Sequence, residues 1–250
     1  WDEVATYRLN FVMWRVRVVL QLLTTYFLWL AIIPIEQSLF GYNQSQILTY
    51  ILGTSIIGSL VIASRSYSIG DDINQGNLSN FLIKPINYFA YWFAKDLGDK
   101  AMNLTFSIFE LTILFLILKP PIFFQSDPAV LVLALAASAV AIILYFFFNL
   151  LLGLVGFWSA ETWGPRFLFI IVLGFASGGL FPLDILPSSI FTIAQFLPFT
   201  YLMYFPLKIY LGQLAIANIY FGLTIALIWT FILFTAVLIS LGISFSYSAS

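Results

Sequence analysis

Among the residues of this 250-residue chain that are of types that do chemistry, those in three places stand out. The stretch GDDINQGNLSNFLIKPINYF, Gly70–Phe89, sets Asp71, Asp72 and Lys84 among amides, glycines and a proline, although only 8% of the chain is charged. Glu110 stands alone in the apolar run TFSIFELTIL, and Glu161 and Arg166 flank the tryptophan of ETWGPR. Paired carboxylates can cap a helix N-terminus by accepting otherwise unpartnered backbone N–H groups. A carboxyl inside an apolar run is either a proton-sensitive group on a polar pathway or a helix–helix hydrogen-bonding group, since insertion of a charge costs roughly 2.5–3.5 kcal/mol. With no cysteine and no histidine, thiolate zinc sites, thiol nucleophiles and the commonest general base are all excluded. No G-x-x-x-x-G-K-[ST] phosphate cradle occurs, so the chain does not bind and hydrolyse ATP by itself. A net charge of −1 leaves no nucleic-acid footprint.

The elements holding these residues must lie mostly in lipid. The chain is 62% hydrophobic and 19% aromatic with a mean hydropathy of +1.01, whereas soluble domains run about 45–50% apolar and about 25% charged. A crossing takes about 20 apolar residues. Six spans are expected, at about 18–35, 47–63, 101–118, 129–158, 167–181 and 215–243. Placing both termini in the cytoplasm gathers Arg8, Arg15, Arg17, Arg65, Lys84, Lys95, Lys100 and Arg166 on the inside and leaves Lys119 and Lys208 outside, as the positive-inside rule prefers. The opening WDEVATYRLN shows no cleavable signal pattern. Val4, Tyr7, Phe11 and Trp14 recur at spacings of three and four, which suits either an interfacial helix over about 1–16 or the simple beginning of the first span. Between the fifth and sixth spans, Pro182, Pro187, Pro198 and Pro206 break segment 182–212 into pieces too short to cross. Two short re-entrant helices are expected there, about Ser188–Leu197 and Thr200–Tyr210, with a seventh crossing as the competing arrangement.

The loop at 64–100 is then the largest cytoplasmic feature. Asp71 or Asp72 would start a short helix, Ile73, Leu78, Phe81 and Leu82 would give it an apolar face, and Pro85 would stop it. That face packs either on a partner protein or on the protein's own spans. Gly174, Ser177, Gly178 and Gly179 allow close backbone approach, at a hinge or at a packing face. Phe27, Trp29, Phe109, Phe146, Phe147, Phe148 and Phe157 either line an apolar route or pack against helices and lipid.

Three stretches carry a resemblance. IxxGxLxxFLIKPI, from Ile73 to Ile86, GFWSAETWG, Gly156–Gly164, and GGLFPLDILPSSIFTIAQFLPFTYLMYFPLKIYLG, Gly178–Gly212, together resemble the ABC-2-type transporter permeases, in the multidrug-type export branch. The resemblance implies an all-α integral membrane protein with six transmembrane helices, an interfacial N-terminal helix, a cytoplasmic coupling helix and re-entrant helices between spans five and six. Asp71, Asp72, Ile73, Gly76, Leu78, Phe81, Leu82, Lys84 and Pro85 would then form the coupling element that enters a cleft of a separate ABC ATPase subunit. Positions 77 and 80, often basic and acidic in that pattern, are the neutral Asn77 and Asn80 here. Glu161 and Arg166 form either a second ATPase contact or an ordinary solvated turn. Glu110, Gly178, Gly179, Phe181, Pro182, Pro198 and Phe199 would belong to the pathway and its mouth. The chain would carry no cofactor, with ATP and magnesium bound by the ATPase. A second copy or a homologous permease, together with membrane lipid, would complete the assembly in a prokaryotic plasma membrane. Its cargo would be amphipathic or hydrophobic and exported. The competing readings are a non-transporting scaffold subunit, a secondary transporter and, more distantly, an intramembrane enzyme.

Overall fold

Three of the long helices begin where a side chain satisfies one of the first unpaired backbone N–H groups. The computed structural model describes residues 8–33, 38–64, 68–76, 87–159 and 161–248. In chain order the helices are α1 (Arg8–Ile32), α2 (Gln44–Ile57), α3 (Ile69–Asn74), α4 (Tyr88–Leu118), α5 (Pro128–Leu154), α6 (Trp163–Ala176), α7 (Ser188–Phe196), α8 (Tyr204–Tyr210) and α9 (Ile216–Ser248), with no strand among the described residues. Asn43 opens α2 with a capping box, its Oδ1 accepting from the Gln46 N–H at 2.8 Å while Gln46 Oε1 accepts from the Asn43 N–H. Asn87 caps α4 through the Ala90 N–H, and Asp127 caps α5 ahead of Pro128. α4 ends at Lys119, which takes the left-handed conformation (φ 44°) before two prolines.

Among the described residues, five helices are long and apolar enough to cross a membrane: Phe11–Ile32, Gln44–Ile62, Tyr88–Leu118, Pro128–Phe157 and Ile216–Gly242. The expected fifth span at 167–181 differs. It is represented by α6, which has 14 residues and at 1.5 Å per residue falls short of the roughly 30 Å hydrocarbon layer. Thr162, just before α6, touches Gly70. Asp184, after it, accepts from the Tyr42 hydroxyl beside the far end of α2. Segment 162–184 therefore runs from one end of the bundle to the other, finishing in the non-helical stretch around Ser177 and Gly178. That stretch is covered by protein: Ser177 is 1% exposed, and its carbonyl accepts from the Tyr204 N–H.

Two other helix starts bear on the sequence expectation. α1 runs unbroken from Arg8 into the first candidate span, Phe11–Ile32, so the stretch is continuous with that span, the second of the two sequence readings. α4 begins at Tyr88, so the end of the expected 64–100 loop is already the third-span helix. The prolines after α6 divide the segment that follows it. They leave α7, a 3₁₀ turn at Pro198–Tyr201 and α8 as a compact cap rather than a further crossing.

The main apolar core joins α1, α2, α5 and the cap, with Tyr50, Ile51, Leu144, Leu202 and Ile209 fully buried. A smaller cluster of Ile69, Trp92, Phe146, Leu150, Leu154 and Val237 ties α3 to α4, α5 and α9.

Candidate functional site: a docked surface helix and a polar cleft

α3 is a six-residue helix whose inner side is fixed before its outer side is considered. Ile69 is fully buried in the smaller core cluster. Gly70 lies against the end of α5 so closely that a Cβ on Gly156 would stand 2.7 Å from the Gly70 carbonyl oxygen and 3.0 Å from its Cα. The opposite contact is equally tight, with a Gly70 Cβ 3.0 Å from the Thr162 methyl. No side chain fits between these backbones.

Neither Asp71 nor Asp72 is the cap expected from the sequence. Ser68 occupies that position without a side-chain cap bond, and both aspartates lie in the first turn, where the helix dipole still favours negative charge. Pro85, the expected stop, lies outside the described residues. The helix ends at Asn74, with Gly76 at φ 73° supplying the left-handed residue past the C-terminus and donating its N–H to the Ile73 carbonyl. Asp71 and Gly76 are exposed, whereas Ile73 packs against the protein's own smaller cluster. Leu78, Phe81, Leu82, Lys84 and Pro85 lie outside the described residues. The turn carrying Glu161 adjoins α3 through Thr162. Glu161 is exposed and accepts from the Trp163 N–H at 3.0 Å, and Arg166 is half-buried on α6. The two candidate ATPase contacts, distant in sequence, thus meet on one end of the bundle.

Glu110 is not a solitary acid. Its carboxylate pairs with Arg15 of α1 in a fork, Nε donating to Oε1 at 2.6 Å and the terminal nitrogen to Oε2. The guanidinium also donates to Asn103 Oδ1 and Ser107 Oγ, both at 3.4 Å. It lies 5.5 Å from the Trp14 ring centre and 5.7 Å from that of Phe106. The Arg15 side chain is 7% exposed and that of Glu110 18%. Sequence reasoning assigned Arg15 to the cytoplasmic charge bias and missed this partnership. The available signal was an arginine at the edge of one apolar run and an acid inside another, the pairing that intramembrane charges require.

Beside this pair a cleft of about 380 Å³ opens between α1, α2, α4 and α6. Arg15, Arg17, Gln21, Ser55, Ser59 and Asn103 supply its polar wall, and Leu22, Ile51, Leu180 and Met203 its apolar wall. Of the expected mouth residues, Gly179 lines the cleft, as do Gly174 and Ser177. Gly178 instead takes φ 83° with its carbonyl accepting from Tyr50, and a Cβ there would stand 2.8 Å from that of Tyr204. Pro182 and Pro198 are buried in the cap, and Phe181 and Phe199 pack against the main core, Phe199 stacking on Phe148 at 5.6 Å. Among the aromatic residues considered as a route, Phe146 and Trp29 are core residues, while Phe27 and Phe109 face outward.

A second ionic centre holds the cap. Lys208 donates to Asp184, to Gln213 Oε1 at 2.6 Å and to the Tyr42 hydroxyl at 2.7 Å. Burial lowers the Lys208 ammonium below its ordinary pKa and Asp184 partly offsets this, while burial and Asp184 push the Tyr42 hydroxyl up. No group of three or more acidic metal-ligand residues occurs among the described residues.

A family model described as ABC-2 family transporter protein matches residues 19–247. No curated protein and no solved structure matches the chain.

Proposed function

The chain belongs to the ABC-2 family of transporter proteins, and on that premise we propose that it is the permease of an ATP-driven exporter whose ATPase is a separate chain engaging α3. Permeases of this family associate with ABC ATPase subunits and are membrane components rather than catalytic ones. The observation that carries the reading is the seating of α3. Its buried side, Ile69 and Gly70, is locked to the α5 end and the 162 turn, while Asp71 remains exposed. A push on the outer side of α3 is thereby delivered to α4, α5 and α9 through one core cluster. ATP drives transport only to the extent that it favours one arrangement of the spans over another, and α3 is where that preference enters. The neighbouring turn with Glu161 and Arg166 forms the second part of the same contact.

The passage of 162–184 from one end of the bundle to the other supports a sixth crossing, which puts both termini in the cytoplasm and the cap outside. A second permease, identical or homologous, completes the pathway, in the plasma membrane of a prokaryote. The cargo is amphipathic or hydrophobic.

The test reverses charge on the outer side only. In Asp71→Lys/Asp72→Lys, with Ile69 and Gly70 intact, membrane insertion should be unchanged, while the ATPase subunit should no longer co-purify in mild detergent. Undiminished co-purification and ATP-dependent transport by this double variant would remove α3 from the contact. Recovery of no ATPase with the unaltered protein would favour a scaffold subunit instead.

A further inference from the structure

The cleft beside Arg15 differs from every other feature of the spans in its charge. Two guanidinium groups, those of Arg15 and Arg17, stand in its wall, and no carboxylate does, because Glu110 approaches Arg15 from outside the lining. Arg17 and Gln21 are exposed one helical turn apart on α1, and both line the cleft, where a polar occupant would satisfy them. The hydroxyls add little donor capacity, since Thr25 and Thr54 give their protons to backbone carbonyls. The recognition that remains is ionic, from guanidinium forks that suit an oxygen-rich anion. Further along, the same wall becomes apolar at Leu22, Ile51, Leu180 and Met203. Seven residues of α1 separate Arg15 from Leu22, so a charged end and an apolar end lie about 10 Å apart along the helix.

We propose that this cleft binds an amphiphile with a net-anionic phosphomonoester headgroup, the headgroup at Arg15 and Arg17 and the chain along Leu22, Ile51 and Leu180. This rests on the permease reading and names the class of its cargo. The headgroup meets Arg17 first and shares Arg15 with Glu110, which serves as the resident counter-ion when the cleft is empty. Arg17 therefore sets the preference for an anion, while the Arg15–Glu110 pair keeps the buried guanidinium neutralised between loads.

The experiment titrates the intact protein, in phosphatidylcholine nanodiscs, with a fluorescent short-chain phosphatidate and with its phosphocholine analogue. The phosphatidate should bind about ten-fold or more tightly, a difference of one charge-assisted contact. Arg17→Gln should bring the two to within about two-fold without lowering the thermal midpoint. Equal affinities in the unaltered protein, or a preference that survives Arg17→Gln, would overturn the proposal and leave the cleft to a second copy of the chain. Displacement of the probe by inorganic phosphate at matching concentrations would also overturn it, since the chain would then contribute nothing. Co-purification of the ATPase is scored separately. Its presence without the phosphatidate preference sinks the cargo class alone, and the preference without the ATPase sinks the permease reading.

Discussion

Arg15 and Glu110 show how far a residue's meaning depends on a partner 95 positions away. Separately, one reads as a topogenic charge and the other as an unexplained acid; together they form a forked ion pair in which the guanidinium is almost wholly buried. Leaving one member of such a pair uncompensated costs about 3–5 kcal/mol, while replacing both with apolar groups is often neutral. Partial exposure of Glu110 places the expected loss for Glu110→Ala near the lower end, at about 3 kcal/mol. The thermal midpoint in detergent should fall for Glu110→Ala and recover substantially in Arg15→Met/Glu110→Leu. A single variant as stable as the unaltered protein would mean that the pair contributes little to folding. The Lys208–Asp184 pair in the cap obeys the same rule, with Tyr42 and Gln213 as additional partners.

Among the elements, α3 is held by close glycine contacts as well as by its buried Ile69 side chain. Gly156→Ala would press a methyl group onto the Gly70 backbone, a clash that neither segment relieves by turning a rotamer. A loss of roughly 1–3 kcal/mol is expected, with weaker ATP-stimulated transport, both measurable on the purified complex. Gly98→Ala is the control. It is an exposed position inside α4 with open space around it, so the exchange should stabilise by up to about 1 kcal/mol. If both alanines behave alike, close approach is not what fixes α3. These elements were unequally legible in the sequence. Proline spacing foretold α7 and α8, and the apolar runs foretold the long helices, because lipid selects both. Hydropathy sees only the part of a helix that lies in lipid, so the polar beginnings of α1 and α4 escaped it, although Asn87 before YFAYWF was a usable start signal. The docking of Gly70 on Gly156 left no trace, since glycine's role there is set by a backbone far away in sequence. The residues 77–86 that carried much of the resemblance lie outside the described structure.

For the whole molecule, the natural lack of cysteine makes orientation directly measurable. In intact cells a membrane-impermeant maleimide should label Ser38→Cys, which lies at the cap end, and should label Gln75→Cys only after permeabilisation. The opposite pattern would invert the bundle. Gln195→Cys, exposed on α7, should behave like Ser38→Cys, because the cap and the 38–43 loop are joined through Asp184, Lys208 and Tyr42. Labelling of Gln195→Cys from the inside alone would contradict the sixth crossing.

The end of α2 has a mechanical consequence for all of this. After Ile57 the helix loosens into five residues of π geometry, Gly58–Ile62, immediately before the chain leads to α3. A π turn accommodates one residue more than an α turn does. Tightening it would swing whatever follows by about 100° around the axis without breaking the chain of backbone hydrogen bonds on which a buried helix depends. The bundle thus has an expansion joint between its α3 handle and the wall of its cleft, where Gly58 and Ser59 stand. On the proposed permease reading, a chain lacking Leu60, with that slack removed, should still insert and co-purify with an ATPase subunit but turn over more slowly. Unaltered turnover would show that the joint stays still while the transporter moves.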